Sequence, residues 1–405
     1  MLPFSPPYID DYIIAEVVDT LKSGWITTGP KMKALEKAVE EFTGVPKVLC
    51  LNSATAGMEI ALRWLGVQAG DEVIVPAYTY TATASVVLHC GATPVMVDIN
   101  QEDMTIDFQA VADAITPRTK AIMPVDLGGM PCNYEALWNV IHDATPMFRA
   151  RTEVQQTLGR IMLLADAAHS LGAMYQGEHA ALHCDIACYS FHAVKNLTTA
   201  EGGAVALNLP IPFDNDEVYK TMYRSALHGQ TKDALAKTVG KNAWEYDIVE
   251  AGYKMNMPDV LAAIGLAGMR TYPQMLVRRR EICDIYTKLL QQHDWAETPI
   301  YEDNDRISSY HLYMLRIREC TLEQRNDIIT EISNHEVSVN VHYKPLPLLS
   351  VYKNMGYDIE DYPITESEWE CEISLPIYTQ LTDEQIAQVV NAVAASVLKI
   401  RNYEL

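Results

Sequence analysis

The chain has little positive charge and no long apolar run. Its 405 residues include 31 Lys and Arg against 53 Asp and Glu, which gives a formal net charge of −22. Because a surface of this sign repels a phosphate backbone, nucleic acid is not an expected partner. No segment approaches the roughly 18 consecutive apolar residues of a membrane-spanning helix, and the amino terminus carries acids and prolines where a signal peptide carries basic residues. We therefore expect a cytoplasmic protein without a membrane partner.

Several common site signatures are also missing. The eight cysteines lie mostly in apolar segments and form no CxxC pair, so we interpret them as reduced core thiols. The group His183, Cys184 and Cys188, flanked by His169 and His192, matches no common zinc spacing, and we expect no metal. The motifs GxGxxG, GxxxxGK[ST] and GxSxG are absent, which argues against dinucleotide, P-loop and α/β-hydrolase sites.

Short apolar runs alternate with helix-like stretches from about residue 48 to 207. The runs are VLCL, DEVIVPAY, ATPVMVDI, TKAIMPVDL, RIMLLADAA, DIACYSF and GGAVAL. This alternation predicts an α/β fold with a mostly parallel sheet and flanking helices. Ligands of such sheets bind beyond the carboxyl ends of the strands, so the polar clusters that follow these runs are the candidate site.

The remaining segments predict two domains. Two helical patterns precede the strands, and a long helical stretch over 257–293 follows them, ahead of further helices mixed with short apolar runs. We expect a large domain over 1–255 and a smaller carboxyl-terminal α+β domain over 256–405. The segment 143–160 lacks clean periodicity, and we interpret it as an insertion before the strand that leads to Asp166.

Asp166 and Lys195 carry the most informative chemistry. Asp166 closes one predicted strand and Lys195 follows a later one, so both side chains are expected at the same edge of the sheet. A lysine that forms a Schiff base and a carboxylate that keeps a pyridine nitrogen protonated are what pyridoxal phosphate (PLP) chemistry requires. The released lysine amine can then move a proton as general base and acid.

Neighbouring residues would complete a site for this cofactor. Ala54 and Thr55 begin a predicted helix and, with Ser190, could bind the phosphate. Tyr80 follows a strand and could stack on the pyridine ring. His169 could bond the phenolic oxygen or pack beneath the ring. Taken singly, each has a plain structural alternative, as a helix cap, a core residue or a solvated charge.

Blocks along nearly the whole chain resemble the DegT/StrS-type aminotransferases, PLP enzymes of fold type I that aminate keto sugars carried on nucleotides. These blocks are SGWITTGP, LNSATAGMEIAL, GDEVIVPAYTYTATASVVLHCGATPVMVDI, LADAAHSLGA, SFHAVKNLTTAEGG, GYKMNMPDVLAAIGLAGM, VHYKPL and ISLPIY. The resemblance implies PLP as the cofactor and a homodimer in which the GYKMNMPD block reaches the partner's site.

The resemblance also implies a role for individual residues. It places the Schiff-base lysine at Lys195 and its pyridine partner at Asp166, while the remaining cofactor contacts fall on Ala54, Thr55, Tyr80, His169 and Ser190. Lys254 and Asn256 stand where the family often has Asn and Arg, so either could reach the partner's phosphate, or Lys254 could be a solvated charge. Trp25, His342 and Tyr343 lie in loops that the family uses around the sugar nucleotide.

The function implied is transfer of the amino group of L-glutamate to a nucleotide-linked keto sugar, in biosynthesis of amino sugars for cell-surface polysaccharides or related products. A PLP-dependent sugar dehydratase, another PLP lyase and a non-catalytic PLP-binding regulator are the alternatives. Colitose-type dehydratases of the family replace the lysine with histidine, so Lys195 favours transamination. The nucleotide, the sugar and the position aminated stay open.

Overall fold

A computed structural model describes residues 1–232 and 245–402. In these ranges the helices are α1 (Asp11–Ser23), α2 (Pro30–Thr43), α3 (Ala54–Leu65), α4 (Ala82–His89), α5 (Phe108–Ala114), α6 (Tyr134–Ala144), α7 (Glu153–Leu158), α8 (Asn215–Ser225), α9 (Asp259–Met269), α10 (Tyr272–Leu290), α11 (Leu322–Asn334), α12 (Ser350–Lys353), α13 (Pro363–Cys371) and α14 (Asp383–Asn402). The strands are β1 (Lys47–Leu51), β2 (Glu72–Pro76), β3 (Thr93–Val97), β4 (Thr119–Ile122), β5 (Met162–Asp166), β6 (Met174–Tyr175), β7 (Glu178–His179), β8 (Ile186–Ser190), β9 (Gly203–Leu207), β10 (Ala296–Glu297), β11 (Arg306–Ile307), β12 (Tyr313–Ile317) and β13 (Glu372–Leu375).

A seven-stranded sheet organises the first half of the chain, in the order β1-β9-β8-β5-β4-β2-β3. The pairs from β3 to β8 are parallel, while β9 runs antiparallel to both of its neighbours. Each of the seven apolar runs predicted as a strand forms one of these strands. The mostly parallel sheet predicted from the sequence is therefore present, and the carboxyl ends of its parallel strands meet at one edge.

Helices cover both faces of this sheet and bury two apolar cores. Strands β2, β5 and β9 are buried along their whole length, as continuous apolar runs require. Alternate residues of a strand enter opposite cores: Ala187 packs in one, and Ile186 and Cys188 in the other. Cys184 belongs to the core of Ala187, so the two thiols that a zinc site would need pack in different cores.

The carboxyl-terminal part builds a separate core on a three-stranded sheet, β10-β12-β13, covered by α10, α11 and α14. The sequence suggested a single long helical stretch over 257–293, but the structure divides it into α9 and α10. The break falls at Arg270 and Thr271, and Pro273 lies in the first turn of α10, where its missing N–H costs no helical hydrogen bond.

The helix α9 packs against α1 and α2, beside the large sheet. The domain boundary at residue 255 stays a prediction. Within the ranges described, no helix has both the length and the apolar character needed to cross a membrane.

The segment 143–160 contains the end of α6, a short 3-10 turn and α7. Arg151 in this segment donates to Asp71 at 2.9 Å, next to the first residue of β2. The segment therefore packs at the amino end of the sheet, opposite the edge at which ligands were predicted.

Candidate functional site

A cleft of about 480 Å³ opens at the carboxyl edge of the large sheet. It is lined by nine of the predicted site residues: Ala54, Thr55, Tyr80, Asp166, His169, Ser190, Lys195, His342 and Tyr343. They come from the carboxyl ends of strands, from the turns and the helix start that follow strands, and from one loop of the carboxyl-terminal part, so the fold gathers residues that are far apart in sequence. His192 also lines the cleft.

Lys195 lies in the turn after β8, where its backbone N–H donates to the carbonyl of His192 at 2.9 Å. Burial lowers the pKa of its amine to about 8, and the carboxylate of Asp166 opposes this change. An amine with this pKa is partly neutral near neutral pH, so Lys195 can act both as a nucleophile and as a base.

Asp166 ends β5 and is only 5% exposed. Its Oδ2 accepts a hydrogen bond from the hydroxyl of Thr83 at 2.7 Å, and its Oδ1 accepts one from the N–H of Ala168 at 3.2 Å. Burial raises the pKa of this carboxyl, and both hydrogen bonds, together with the charge of Lys195, oppose the rise. Thr83 was missed by the sequence analysis, although it lies in the TYTATA segment that follows Tyr80.

The amino terminus of α3 provides anion-binding groups. The hydroxyl of Ser53 caps the helix by accepting from the N–H of Ala56 at 3.1 Å. In the described part of the chain, the N–H groups of Ala54 and Thr55 have no acceptor, and both residues line the cleft. Free N–H groups at a helix amino terminus favour a phosphate.

Gly203 brings β9 close to this helix. A Cβ atom on Gly203 would overlap the backbone nitrogen of Ala54 and the carbonyl carbon of Ser53. Only glycine therefore allows the strand to support the start of α3 at this distance.

The backbone fixes the proton position of His169. Its Nδ1 accepts from the N–H of Gly128 at 3.1 Å, so the neutral ring carries its proton on Nε2. The Nε2 atom lies 3.1 Å from the hydroxyl of Tyr343. Burial holds the pKa of His169 well below its ordinary value, and the charge of Lys195 lowers it further. His169 is thus a neutral hydrogen-bond donor at the cleft.

Two tyrosines form an aromatic side of the cleft. Tyr80 is 59% exposed, and its ring centroid lies 5.7 Å from that of Tyr343. An aromatic ring left this exposed at a cleft is available to cover a flat ligand. The ring of Tyr343 also stacks on His169 at 6.1 Å.

His342 is hydrogen-bonded to strand β13. Its Nδ1 lies 2.8 Å from the hydroxyl of Ser374 on β13, and its backbone N–H donates to the carboxylate of Glu372 at 3.0 Å. Neither Ser374 nor Glu372 was predicted: Ser374 lies in ISLPIY, which was recognised as a block without any role for its residues, and Glu372 immediately precedes that block.

Three predicted residues lie outside the lining of this cleft. The indole of Trp25 donates to the carbonyl of Thr28 at 3.2 Å. Lys254 is exposed, and its ammonium donates to the Oδ1 of Asn256 at 2.5 Å. Asn256 donates in turn to the hydroxyl of Thr28, also at 2.5 Å. A single chain thus groups these three around Thr28, and their roles stay predictions.

The cleft fits pyridoxal phosphate on the observations above. It offers an amine that is partly neutral, a buried carboxylate, a helix terminus with free N–H groups and an exposed aromatic ring. These are the groups that the aldehyde, the pyridine nitrogen, the phosphate and the ring face of the cofactor need. Over residues 1–232 and 245–402, no group of three or more His, Cys, Asp or Glu side chains is placed to hold a metal ion.

Comparison of the sequence with known proteins identifies an aminotransferase family. The sequence profile of the DegT/DnrJ/EryC1/StrS aminotransferase family matches residues 7–394. The spore coat polysaccharide biosynthesis protein SpsC of Bacillus subtilis is 34% identical over 395 residues, which cover 97% of this chain and 96% of that protein.

Solved structures agree with the sequence comparison. The PMP form of Spr1654 from Streptococcus pneumoniae, assigned as a sugar aminotransferase, matches with a TM-score of 0.96 and 46% identity, covering 99% of this chain and 100% of that chain. A PLP form of Spr1654 is also known. PseC of Helicobacter pylori, an aminotransferase involved in the biosynthesis of pseudoaminic acid, matches with a TM-score of 0.86 and 26% identity, covering 98% and 99% of the two chains.

Proposed function

The chain belongs to the DegT/DnrJ/EryC1/StrS aminotransferase family, and from this premise we propose that it transfers the amino group of L-glutamate to a nucleotide-linked keto sugar. Three predictions from the sequence are confirmed by the family and its structures: the aminotransferase class, fold type I and PLP as the cofactor. The donor, the nucleotide and the compartment are our proposals. The cytoplasm suits the eight cysteines, which are all free thiols.

The placement of Lys195 beside Asp166 in one cleft is the observation that carries this proposal. When bound, PLP supplies an electron sink for the pair of electrons left as a Cα–H bond breaks. Asp166 holds a proton on the pyridine nitrogen, because a buried carboxylate without a cationic partner favours a nearby N–H⁺. The Nζ atom of Lys195 takes up the Cα proton and returns it at another carbon atom.

Other residues of the cleft bind and orient the cofactor. Ala54 and Thr55 donate backbone N–H groups to the phosphate, and the hydroxyl of Ser190 adds a further donor. Tyr80 covers the ring and limits the access of water. His169 would turn its Nε2–H from the hydroxyl of Tyr343 to the phenolic oxygen of the cofactor, because Gly128 already occupies its Nδ1. His342 and Tyr343, from the carboxyl-terminal part, line the same cleft, and we propose that they contact the sugar together with Trp25.

The direct test offers the enzyme glutamate and a panel of UDP-, dTDP- and GDP-linked keto sugars. We expect formation of 2-oxoglutarate together with an amino sugar, identified by mass spectrometry and NMR. Release of 2-oxoglutarate without an amino sugar would contradict the acceptor class. A dehydrated sugar as the only product would favour the dehydratase alternative, and binding of PLP without turnover would favour the regulator.

We further propose a homodimer in which Lys254 or Asn256 reaches the partner's PLP phosphate. Exposed apolar residues on the first helix and after it support an interface: Tyr12, Ile14, Val18, Leu21 and Ile26. The exposed ammonium of Lys254 is a suitable donor to an anion. A twofold dimer lets each subunit lend the element that it receives.

Mixed dimers test the shared site. Lys195→Ala subunits are combined with subunits that carry both Lys254→Ala and Asn256→Ala. If the site is shared, one site of each mixed dimer collects both defects and the other none, so activity returns. An active monomer in light scattering, or no recovery in verified mixed dimers, would contradict the shared site.

A further inference from the structure

A hydrogen-bond chain leads from the cleft into the core of the carboxyl-terminal part. The Nδ1 of His342 lies 2.8 Å from the hydroxyl of Ser374, and that hydroxyl donates to Oε1 of Glu372 at 2.5 Å. Oε2 of the same carboxylate accepts from the backbone N–H of His342 at 3.0 Å. Ser374 and Glu372 are fully buried on β13. The mechanism above gives this chain no task.

The direction of these hydrogen bonds decides whether His342 presents a donor or an acceptor to the cleft. An ionised Glu372 can only accept, so the proton of the Ser374 hydroxyl points to it. The Ser374 oxygen then accepts from Nδ1–H of His342, and Nε2 is left with a lone pair. Nε2 has no protein partner in the portion of the chain described by the structure. The ring of Phe4, stacked on His342 at 5.5 Å, helps to hold its plane.

A neutral Glu372 carboxyl would reverse the direction of these hydrogen bonds. It would donate to Ser374, which would donate to Nδ1, so the imidazole proton would move to Nε2. The titratable groups that face these hydrogen bonds are Arg325 on α11, Tyr78 after β2, Tyr343 beside the imidazole, His311 before β12, and Lys195 and His169 across the cleft. The charge of Arg325 favours the ionised form, while burial raises the pKa of Glu372 to about 8.

We propose that Glu372, acting through Ser374, sets which hydrogen-bonding atom His342 presents to the substrate, and that the ionised form makes Nε2 an acceptor for a sugar hydroxyl. This proposal rests on the proposed function, because it takes glutamate and a keto sugar as the two substrates. These two substrates bring different hydrogen-bonding groups. Beyond its amino group, glutamate brings carboxylates, which are acceptors and gain nothing from a lone pair. A sugar brings hydroxyl donors. Glu372 and Ser374 are therefore positioning residues for the sugar half-reaction alone.

The proton position can be measured without any activity assay. In enzyme labelled with ¹⁵N-histidine, the ring nitrogen shifts report which nitrogen carries the proton, and a His342→Gln variant identifies the signals. We expect Nδ1–H in the wild type near pH 9, where Glu372 is ionised. Burial and the charge of Lys195 lower the pKa of His342 to about 4, so the ring stays neutral near pH 6. There the proton should move to Nε2.

Glu372→Gln provides the sharpest variant. Its single amide oxygen is needed by the backbone N–H of His342, so its NH₂ group faces Ser374 and the chain runs in reverse at every pH. We expect Nε2–H in this variant at pH 9. A wild type with Nε2–H at pH 9, or the same tautomer in both proteins, would overturn the proposal.

Kinetics provide an independent test. At pH 9, Glu372→Gln and Ser374→Ala should raise KM for the keto sugar roughly tenfold, the effect of one lost hydrogen bond. The rate of the half-reaction with glutamate should not change. Ser374→Thr keeps the hydroxyl and should restore the wild-type KM, and Glu370→Gln, a half-buried glutamate two residues earlier, serves as the matched control. Equal losses in both half-reactions would refute a role limited to the sugar.

The two proposals can fail separately. If no keto sugar in the panel is aminated by the wild type, the proposed function fails, while the NMR measurement still decides the proton position. If sugars are aminated and the tautomer does not respond to Glu372→Gln, only the role of Glu372 fails.

Discussion

Buried carboxylates have different hydrogen-bond partners at the two ends of the large sheet. At the amino end, Asp185 before β8 accepts two hydrogen bonds from Arg160, both at 2.7 Å, and Asp71 before β2 accepts one from Arg151 at 2.9 Å. At the carboxyl end, Asp166 receives only the hydroxyl of Thr83 and one backbone N–H. The nearby Lys195 forms no ion pair with Asp166 in the described structure.

This difference separates a structural end of the sheet from a chemical one. A buried carboxylate bonded to arginine has its charge compensated within the protein and has no need of a ligand. Asp166 and Lys195 are both shifted toward their neutral forms by burial, so a ligand that brings a cationic N–H and an aldehyde would meet unsatisfied groups.

The largest effect is expected from Lys195→Ala. The variant loses the nucleophile and the proton carrier, so transamination should fall by about 10⁴-fold. Borohydride reduction followed by peptide mass spectrometry should find the cofactor on the peptide that contains Lys195 in the wild type and on no peptide in the variant. Lys37→Ala, an exposed lysine paired with Glu41, is the control and should behave as wild type. Normal turnover by the Lys195 variant would disprove its role.

Asp166→Asn tests the uncompensated carboxylate directly. The amide keeps the shape of the side chain but cannot hold a proton on the pyridine nitrogen by charge. We expect the half-reaction with glutamate to slow by about 10² to 10³-fold, measured by stopped-flow absorbance of the bound cofactor. An unchanged rate would remove Asp166 from this role.

Arg160→Gln tests the amino end of the sheet, where buried carboxylates are paired with arginine. Removing one partner of a buried ion pair leaves Asp185 without its cation, so the free energy of unfolding should fall by about 3 kcal/mol. Urea unfolding measures this loss, and the kcat of the folded enzyme should stay near wild type. Arg280→Gln removes an arginine from a pair whose side chains are 52% and 37% exposed and should have little effect. A large loss of kcat in Arg160→Gln would contradict the separation of the two ends.

The pH dependence of cofactor attachment gives the smallest effect. With a pKa of about 8, the neutral fraction of the Lys195 amine rises about tenfold per pH unit below pH 8 and then levels off. The rate at which apoenzyme attaches PLP, measured by borohydride quenching, should follow this curve. In Asp166→Asn the plateau should begin at lower pH, because Asp166 raises the pKa of the amine. A rate still climbing at pH 10 would indicate an ordinary lysine.

Much of the fold could be predicted because its signals are local. Each strand of the large sheet is a short apolar run, and a sheet buried on both faces needs nothing more specific. The break between α9 and α10 was missed since the apolar periodicity continues across it, although Pro273, which is disfavoured inside a helix and favoured in its first turn, is a local signal for a helix start.

The candidate site could be predicted where chemistry and position coincide, as for Lys195 and Asp166. Thr83, Gly128 and Glu372 could not be predicted in the same way. Their roles depend on which atom faces which partner after folding: a hydroxyl on Asp166, a backbone N–H on His169, and a carboxylate that accepts from the backbone N–H of His342 and reaches its imidazole through Ser374. The sequence contains no local signal for such contacts.

Gly203 shows how a position that binds nothing can still be under strict functional constraint. A side chain there would push the start of α3 outward, because β9 and this helix share the space that a Cβ atom would fill. The displaced groups would be the N–H donors of Ala54 and Thr55, so Gly203→Ala should appear in a mutational screen as a defect of cofactor retention. The measured affinity for PLP would fall while the strand stays folded. The proposed phosphate site therefore depends on a strand residue with no polar side chain.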